Sequence, residues 1–461
     1  KENKMRKILI AQRSLFDQAI DTLVSLFKPD KKLQMMDQIL DANPQIIELV
    51  HSDLTRGLTK TGAWGMSAEQ VLRAAIIRQW KHYSYRELAD RLNDGVCLRW
   101  FTRFYSDPVP HFTSLQKVFK AVGADTWNKI NEMLVQYALV RKLERGRALR
   151  TDTTVVETNI HYPTDAKLLW DSIRVLTRLM IRSRELLPEA DFGFANRTRS
   201  SKKLCYKITM VKGPTAPKKR RKLYRKLLKT ANEVFAMASR CFDCLQQWQG
   251  FDLELLADEL DHYLTLSAVA IDQCERRVLD GQKVPAPEKI VSIFEAHTDI
   301  IRRGKSQSKT EFGHKVLIAS GKSGLITQYA SFRGNPDDGH MLPSVLERHR
   351  QQYGRPPQAL SADRRFYSAD NEEKARQIGV KRLSINKPGY CSQARRQLEK
   401  ERWFKDLQRF RAGIEGIISG LMRGYGLKRC IWKGWQSFQS YVGLAIVTFN
   451  LQKIAELSLK K

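Results

Sequence analysis

The sequence lacks negative charge relative to its positive charge. It has 49 Asp and Glu residues against 80 Lys and Arg residues, a formal net charge of +31 over 461 residues. So many positive side chains repel one another unless a polyanion lies nearby, so nucleic acid is the expected partner. The alternative is a basic protein whose charge serves only solubility. The charge is also clustered along the chain, and this clustering favours nucleic acid.

Long apolar runs are also missing, and cysteine is scarce. No run approaches the length of about 18 residues that a membrane helix needs. The basic start is not followed by a signal-peptide core. We therefore expect a cytoplasmic protein with no membrane partner. The seven cysteines are scattered, which fits reduced thiols, and "CFDC" (241–244) is interpreted as two small helical residues rather than half a zinc site.

The length predicts two or three domains, because one core rarely organises so long a chain. Residues 1–147 are predicted to form a helical domain for DNA binding or dimerisation, and residues 165–288 a helical, basic insertion. Residues 148–164 and 289–461 are predicted to form a mixed sheet domain. Its strands are predicted at 148–160, 289–297, 314–320, 325–332, 358–363 and 380–386. The fold class is therefore multidomain α+β, with helices on both faces of the sheet.

Capping patterns predict two short helices in the N-terminal region. Ser67 with Gln70 begins one helix, and Ser84 with Glu87 begins the next. The pair is consistent with a helix-turn-helix and equally with a plain helical hairpin. After a proline-containing loop, either Thr113 or Ser114 is predicted to cap a further helix.

The insertion contains the most one-sided charge of the chain. Residues 196–229 hold 14 Lys or Arg residues and no Asp or Glu. A solvated surface usually mixes the two signs, so this run is predicted to follow DNA phosphates. The residues expected to contact DNA irrespective of its sequence are Lys218, Lys219, Arg220 and Arg221. In the basic loop "RRGKSQSK" (302–309), the expected phosphate contacts are Arg302, Arg303 and Lys305.

Three acidic residues lie in "LRTDTTVVETNIHYPTD" (149–165). Strand alternation puts Asp152 on one face and Glu157 on the other, so the two cannot serve one site. Glu157 is interpreted as a structural hydrogen-bond partner. Asp165 follows Pro163 and is interpreted as the cap of the next helix.

Two further acids lie in positions that suit a site. Asp363 ends a buried strand, and two arginines follow it, an arrangement that suits a phosphate ester near a metal ion. Glu415 lies four residues after Arg411, a spacing that also suits a plain helical salt bridge. That helix contains three glycines, at 413, 416 and 420. Each costs about 1 kcal/mol in a helix, so we expect a strand or a nucleic-acid backbone to approach closely there.

Several stretches occur together in a characteristic order. They are "RTDTTVVETNIHYPTD", "FGHKVLIA", "SADRRFYSADNEE" and "FRAGIEGIISGLMRGYGLKRC". Together they resemble the DDE transposases of bacterial insertion sequences, cut-and-paste enzymes with an RNase H-like catalytic domain. "LRWFTRFYSDPVPHFTSL" (98–115) is similar to an N-terminal domain found in many of these enzymes. The resemblance covers roughly residues 65–450.

The resemblance implies a transposase that binds the terminal inverted repeats, cuts double-stranded DNA at the element ends and joins the 3′-OH to target DNA. It implies a homodimer on DNA and two Mg²⁺ ions, with Mn²⁺ able to substitute. Asp152 is expected to bridge both ions, Asp363 to hold one and Glu415 the other. The residues expected to contact DNA near these acids are Arg364, Arg411, Arg423 and Lys315.

The sequence departs from the family pattern beside two of the acids. Arg365 stands where the family has Gly, and Gln408 and Met422 stand where it has Tyr and Lys. These changes concern DNA contacts and remove no carboxylate. The alternatives are a transposase-derived DNA-binding regulator with a decayed site, and an RNase H-like nuclease without strand transfer. The complete triad favours an enzyme, and the large basic surface favours a transposase over a simple nuclease.

Overall fold

The computed structural model describes residues 19–20, 22–24, 26, 29–57, 65–190, 192–302 and 310–461. The chain divides into two compact units. Residues 1–157 and 314–461 form the first, and residues 158–313 form the second. The N-terminal helices thus share a unit with most of the sheet. The predicted boundaries at 147 and 289 do not coincide with this division, and the three-part scheme stays a functional prediction.

The N-terminal part of the first unit is helical, as predicted. Its helices are α1 (Lys31–Asp41), α2 (Gln45–Thr55), α3 (Ala68–Lys81), α4 (Tyr85–Asp94), α5 (Val96–Phe101), α6 (Phe112–Lys120) and α7 (Ala124–Val140). The capping boxes at Ser67 and Ser84 are confirmed. The predicted cap at 113–114 is wrong, because α6 begins directly after His111. Thr113 Oγ1 instead lies 2.8 Å from His111 Nδ1.

The strands are β1 (Ala148–Glu157), β2 (Asp299–Arg302), β3 (Thr310–Ser320), β4 (Ile326–Phe332), β5 (Ala359–Ala362) and β6 (Arg382–Ser384). In the first unit they are ordered β4-β3-β1-β5-β6. β1 and β5 are parallel, as are β5 and β6, whereas β3 and β4 are antiparallel. In the second unit, β2 pairs with residues 310–313 of β3.

The strand predicted at 289–297 is wrong, whereas each of the other predicted strands overlaps an observed one. Ser292 Oγ accepts hydrogen bonds from the backbone of Phe294 and Glu295, which turns the chain. Ile293 is buried in the helical core of the second unit instead of facing a sheet. The apolar residues that suggested a strand therefore lie in a turn that packs against helices.

The helices after the sheet strands are α12 (Leu342–Tyr353), α13 (Ala369–Ile378), α14 (Gln393–Lys400), α15 (Arg402–Gly424) and α16 (Trp435–Leu459). Alternate residues of β3 enter two cores. Val316 and Ile318 face the core that includes α7 and α16, and Leu317 and Ala319 face the core that includes α12 and α13. The sheet is thus covered by helices on both faces, as predicted.

Helix α16 is long and strongly apolar. By length and composition alone it could cross a membrane, but 67% of its most apolar window is buried inside the protein. It packs against α1 and α7. It serves here as the central helix of the larger core.

The second unit is a helical bundle of α8 (Asp165–Leu186), α9 (Thr198–Met210), α10 (Ala216–Leu245) and α11 (Phe251–Cys274). α8 packs against the other three. Thr164, rather than Asp165, caps α8. Asp165 is buried, and Arg277 Nη1 donates to its carboxylate at 2.8 Å, which compensates for the lost hydration. The "CFDC" motif lies on α10, with Cys241 buried, as the helical interpretation requires.

Candidate active site

The first two candidate acids lie side by side on two neighbouring parallel strands of the sheet. In the parallel pair of β1 and β5, Thr151 lies opposite Ala362. The next residues along the two strands are Asp152 and Asp363, so they are neighbours where β5 ends. The structure therefore brings together two acids that are far apart in the sequence.

The environment of Asp152 disfavours its charged form. Burial raises the pKa of Asp152 to about 6, and the nearby carboxylates of Asp363 and Asp338 contribute to the rise. The backbone N–H of Thr153, which donates to Asp152 Oδ1 at 2.7 Å, and the Arg411 guanidinium act in the opposite direction. A bound cation would relieve this accumulation of negative charge, which is the condition that a metal site provides.

The third candidate acid is linked to Asp152 through an arginine. Helix α15 packs against β1, β5 and β6. From this helix, Arg411 Nη1 lies 3.3 Å from Asp152 Oδ2, and its Nη2 lies 3.4 Å from Glu415 Oε1. Glu415 is 67% exposed. Among the described residues no three His, Cys, Asp or Glu side chains form a metal-binding group. The three candidate acids are therefore arranged as a neighbouring pair, Asp152 and Asp363, and a third acid, Glu415, that Arg411 links to Asp152.

The glycines of α15 have different surroundings. A Cβ at Gly413 would collide with the guanidinium of Arg150 on β1. That group donates to Phe410 O at 2.7 Å and lies over the Phe410 ring at 4.6 Å. The close approach of a strand is thus confirmed at Gly413. Gly416 and Gly420 have open space beside them, so an approach by DNA there stays a prediction.

Comparison with protein families adds an independent observation. Residues 21–121 match the family described as "Transposase domain (DUF772)", and residues 275–451 match the "Transposase DDE domain". Together the two matches support an insertion-sequence DDE transposase. Neither the comparison with curated proteins nor that with solved structures gave a match. Asp363 and Glu415 lie inside the second match, and Asp152 lies between the two matches.

The family assignment agrees with the architecture. The mixed sheet with helices on both faces is the RNase H-like domain of a DDE transposase, and the region before it is helical. An enzyme of this family is a metal-dependent nuclease that acts on DNA. The predicted fold class is therefore confirmed.

Positive charge surrounds the carboxylates of the transposase. Arg364 and Arg365 are exposed on the turn after Asp363. Arg423 is exposed on α15 and donates to Ser419 Oγ. Gln408, where the family has Tyr, donates to Ser384 O at 2.8 Å and so fixes α15 to β6. That departure from the family pattern gives this position a structural contact.

The remaining candidate DNA contacts lie in different surroundings. Lys218, Lys219, Arg220 and Arg221 are exposed on α10, and all 14 basic residues of 196–229 are exposed. Within the described residues, no Asp or Glu forms an ion pair with any of these 14. Arg302 is exposed at the end of β2, whereas Arg303 and Lys305 lie outside the described residues. The structure thus supports an uncompensated basic surface on the second unit.

One candidate residue behaves differently from its prediction, and two residues near the site were missed. Lys315 is buried, and its ammonium binds Asp338 at 2.8 Å, an internal partner in place of the predicted DNA contact. Asp338 and its neighbour Asn371 were not predicted at all. The only local signal is "GNPDDGH" (334–340), which is typical of a solvated turn. Glu157 forms an ion pair with Arg429 at 2.7 Å, which confirms its structural interpretation.

Proposed function

We propose that this transposase cuts DNA at the ends of an insertion sequence and joins the freed 3′-OH to target DNA. Asp152, Asp363 and Glu415 are the proposed catalytic acids. The observation that supports this proposal most directly is that Asp363, directly after the end of β5, neighbours Asp152 on the parallel strand β1. The ends of parallel strands, such as the end of β5, commonly hold the site residues of open sheets. The raised pKa of Asp152 is typical of a functional site.

The donor set suits hard divalent cations. Carboxylate oxygens are the ligands that Mg²⁺ prefers, and Mn²⁺ accepts the same ligands. Asp152 and Asp363 would hold the metal, and Glu415 would complete the set once Arg411 releases it. When bound, a pair of such ions activates the attacking oxygen and stabilises the leaving oxygen of a phosphodiester.

The arginines around the acids have a role of their own. A planar guanidinium binds a phosphate through two parallel hydrogen bonds. Arg411, once released from Asp152 and Glu415, would bind the scissile phosphate. Arg364 and Arg365 would contact the same strand of DNA. Held donors of this kind stabilise the charge that develops during phosphoryl transfer.

The rest of the chain would hold the DNA. The exposed basic residues of α9 and α10 suit contacts with the DNA backbone, which carry affinity without reading sequence. The N-terminal helices are proposed to bind the terminal inverted repeats, with α3 and α4 as a helix-turn-helix or a helical hairpin. Two element ends must be held together for insertion, so a homodimer on DNA is proposed. The proposed location of the protein is the bacterial cytosol, where this DNA is found.

An assay with labelled element ends, a target plasmid and Mg²⁺ tests this function. The wild-type protein should yield both cleaved ends and joined products. Asp363→Asn and Glu415→Gln should lose both products while they retain binding to the ends. Cleavage without joining would favour a nuclease, and binding without either product would favour a regulator. An Asp363→Asn protein that still joined ends would contradict the assignment of the acids.

A further inference from the structure

A buried ion pair lies close to the first catalytic strand. Lys315 Nζ on β3 donates to Asp338 Oδ1 at 2.8 Å and to Pro336 O at 2.6 Å. The side chains of Lys315 and Asp338 are 9% and 4% exposed. A buried ion pair often contributes little to stability, because both ions lose their hydration. The contacts of Asp338 therefore suggest another purpose.

One contact of Asp338 leads to Asp152. Thr153 Oγ1 donates to Asp338 and lies 3.2 Å from each carboxylate oxygen. The backbone N–H of the same Thr153 donates to Asp152 Oδ1 at 2.7 Å. Adjacent strand residues point to opposite faces, so Asp338 holds Thr153 from the face of β1 opposite Asp152. The orientation of the N–H that binds Asp152 thus depends on this anchor.

A second contact leads from the same turn to Asp363. Gly339 O accepts a hydrogen bond from Asn371 Nδ2 at 2.7 Å, and this amide also donates to Phe366 O at 2.9 Å. Phe366 N in turn donates to Asp363 O at 2.9 Å. Asn371, on α13, is 5% exposed. The turn that follows Asp363 is therefore fixed to the residue that follows Asp338.

We propose that Thr153, Lys315, Asp338 and Asn371 form a clamp that positions Asp152 and Asp363 for metal binding. We call these four residues the Asp338 clamp. The inference rests on the proposed function, because it takes Asp152 and Asp363 as metal ligands. The clamp residues act through these two acids, so they are positioning residues. Lys315 offsets the charge of Asp338 through their ion pair, although the Asp338 carboxylate still contributes to the raised pKa of Asp152.

The matched variants Thr153→Val and Thr153→Ser test the clamp. Valine has nearly the shape of threonine but lacks the hydroxyl that Asp338 binds, and serine restores it. The probe is Mn²⁺, titrated without DNA and followed by the electron paramagnetic resonance signal of the free ion. Residues that orient metal ligands typically contribute about 10- to 100-fold to metal affinity, so Thr153→Val should weaken Mn²⁺ binding by about tenfold or more. Thr153→Ser should recover most of the affinity.

Two further measurements, of DNA cleavage and of DNA binding, complete the test. In Thr153→Val, the Mg²⁺ concentration for half-maximal cleavage should rise by a similar factor, whereas affinity for element ends in EDTA should not change. A purely structural role would lower the melting temperature and leave the metal titration as it is. Asn371→Ala, which breaks the branch to Asp363, should shift the Mn²⁺ titration in the same direction and serves as the test if Thr153→Val fails to fold.

The outcomes separate the clamp from the function on which it rests. Wild-type Mn²⁺ affinity in both Thr153→Val and Asn371→Ala, alongside loss of Mn²⁺ binding in Asp152→Asn, would refute the clamp and leave the proposed function intact. Unchanged Mn²⁺ binding in Asp152→Asn itself would contradict the proposed function instead.

Discussion

Replacing Arg411 with Gln should strengthen metal binding while it weakens catalysis. Arg411 lies between Asp152 and Glu415, at 3.3 Å and 3.4 Å from their oxygens. A cation that enters must displace this contact. A hydrogen bond to a charged group contributes about 1.5–3 kcal/mol, and the partial exposure of Arg411 reduces this to about 1–2 kcal/mol for Asp152. The contact with the exposed Glu415 adds little.

Since each 1.4 kcal/mol is about tenfold in affinity, Arg411→Gln should bind Mn²⁺ roughly 5- to 30-fold more tightly in a titration without DNA. Cleavage at saturating metal should fall by about 100-fold, because a donor to the reacting phosphate is lost. Arg409→Gln is the matched control, since Arg409 is 79% exposed on the same helix and pairs with Asp406. Unchanged or weaker Mn²⁺ binding in Arg411→Gln would refute the reasoning.

Further predictions concern DNA binding and stability. Alanine at all four of residues 218–221 should weaken binding to every DNA sequence and reduce the slope of log K against log salt by up to about 3.6; an effect confined to one sequence would count against it. Burial lowers the pKa of His349 from 6.5 to about 4. Between pH 6.5 and pH 4 the unfolded chain therefore binds a proton at this residue that the folded protein does not bind. Stability should therefore fall as pH drops from 6.5 to 4, by on the order of 3 kcal/mol, and His349→Gln should flatten this dependence in denaturant titrations. Gly413→Ala should destabilise the fold by about 1–3 kcal/mol through its collision with Arg150, whereas Gly416→Ala should stabilise it by up to about 1 kcal/mol. Equal melting temperatures for the two alanine variants would contradict this account of α15.

Local patterns were sufficient for much of the fold. The capping boxes at Ser67 and Ser84 use residues three apart, so the sequence contains all the information they need. The strand alternation that separated Asp152 from Glu157 is equally local, and the ion pair of Glu157 with Arg429 agrees with it. The predicted pairing of Arg411 with Glu415 is also present.

Contacts between distant residues could not be predicted in the same way. Arg411 also reaches Asp152, which lies 259 positions earlier, and no local pattern indicates that contact. Asp338 stands in a Gly- and Pro-containing turn that predicts exposure. It is buried because Lys315, 23 positions earlier on β3, neutralises it. Ile293 suggested a strand, but the core of the second unit buries it in a turn.

The most direct test of the central claim compares two acids on one strand. Asp152→Asn and Glu157→Gln each remove one carboxylate charge from β1, on opposite faces. Strand transfer of labelled element ends into a target plasmid with Mg²⁺ is the measurement. The account predicts joined product with Glu157→Gln at close to the wild-type level and none with Asp152→Asn, although both proteins bind the ends. Joined product with Asp152→Asn, or its loss with Glu157→Gln in a folded protein, would contradict the account.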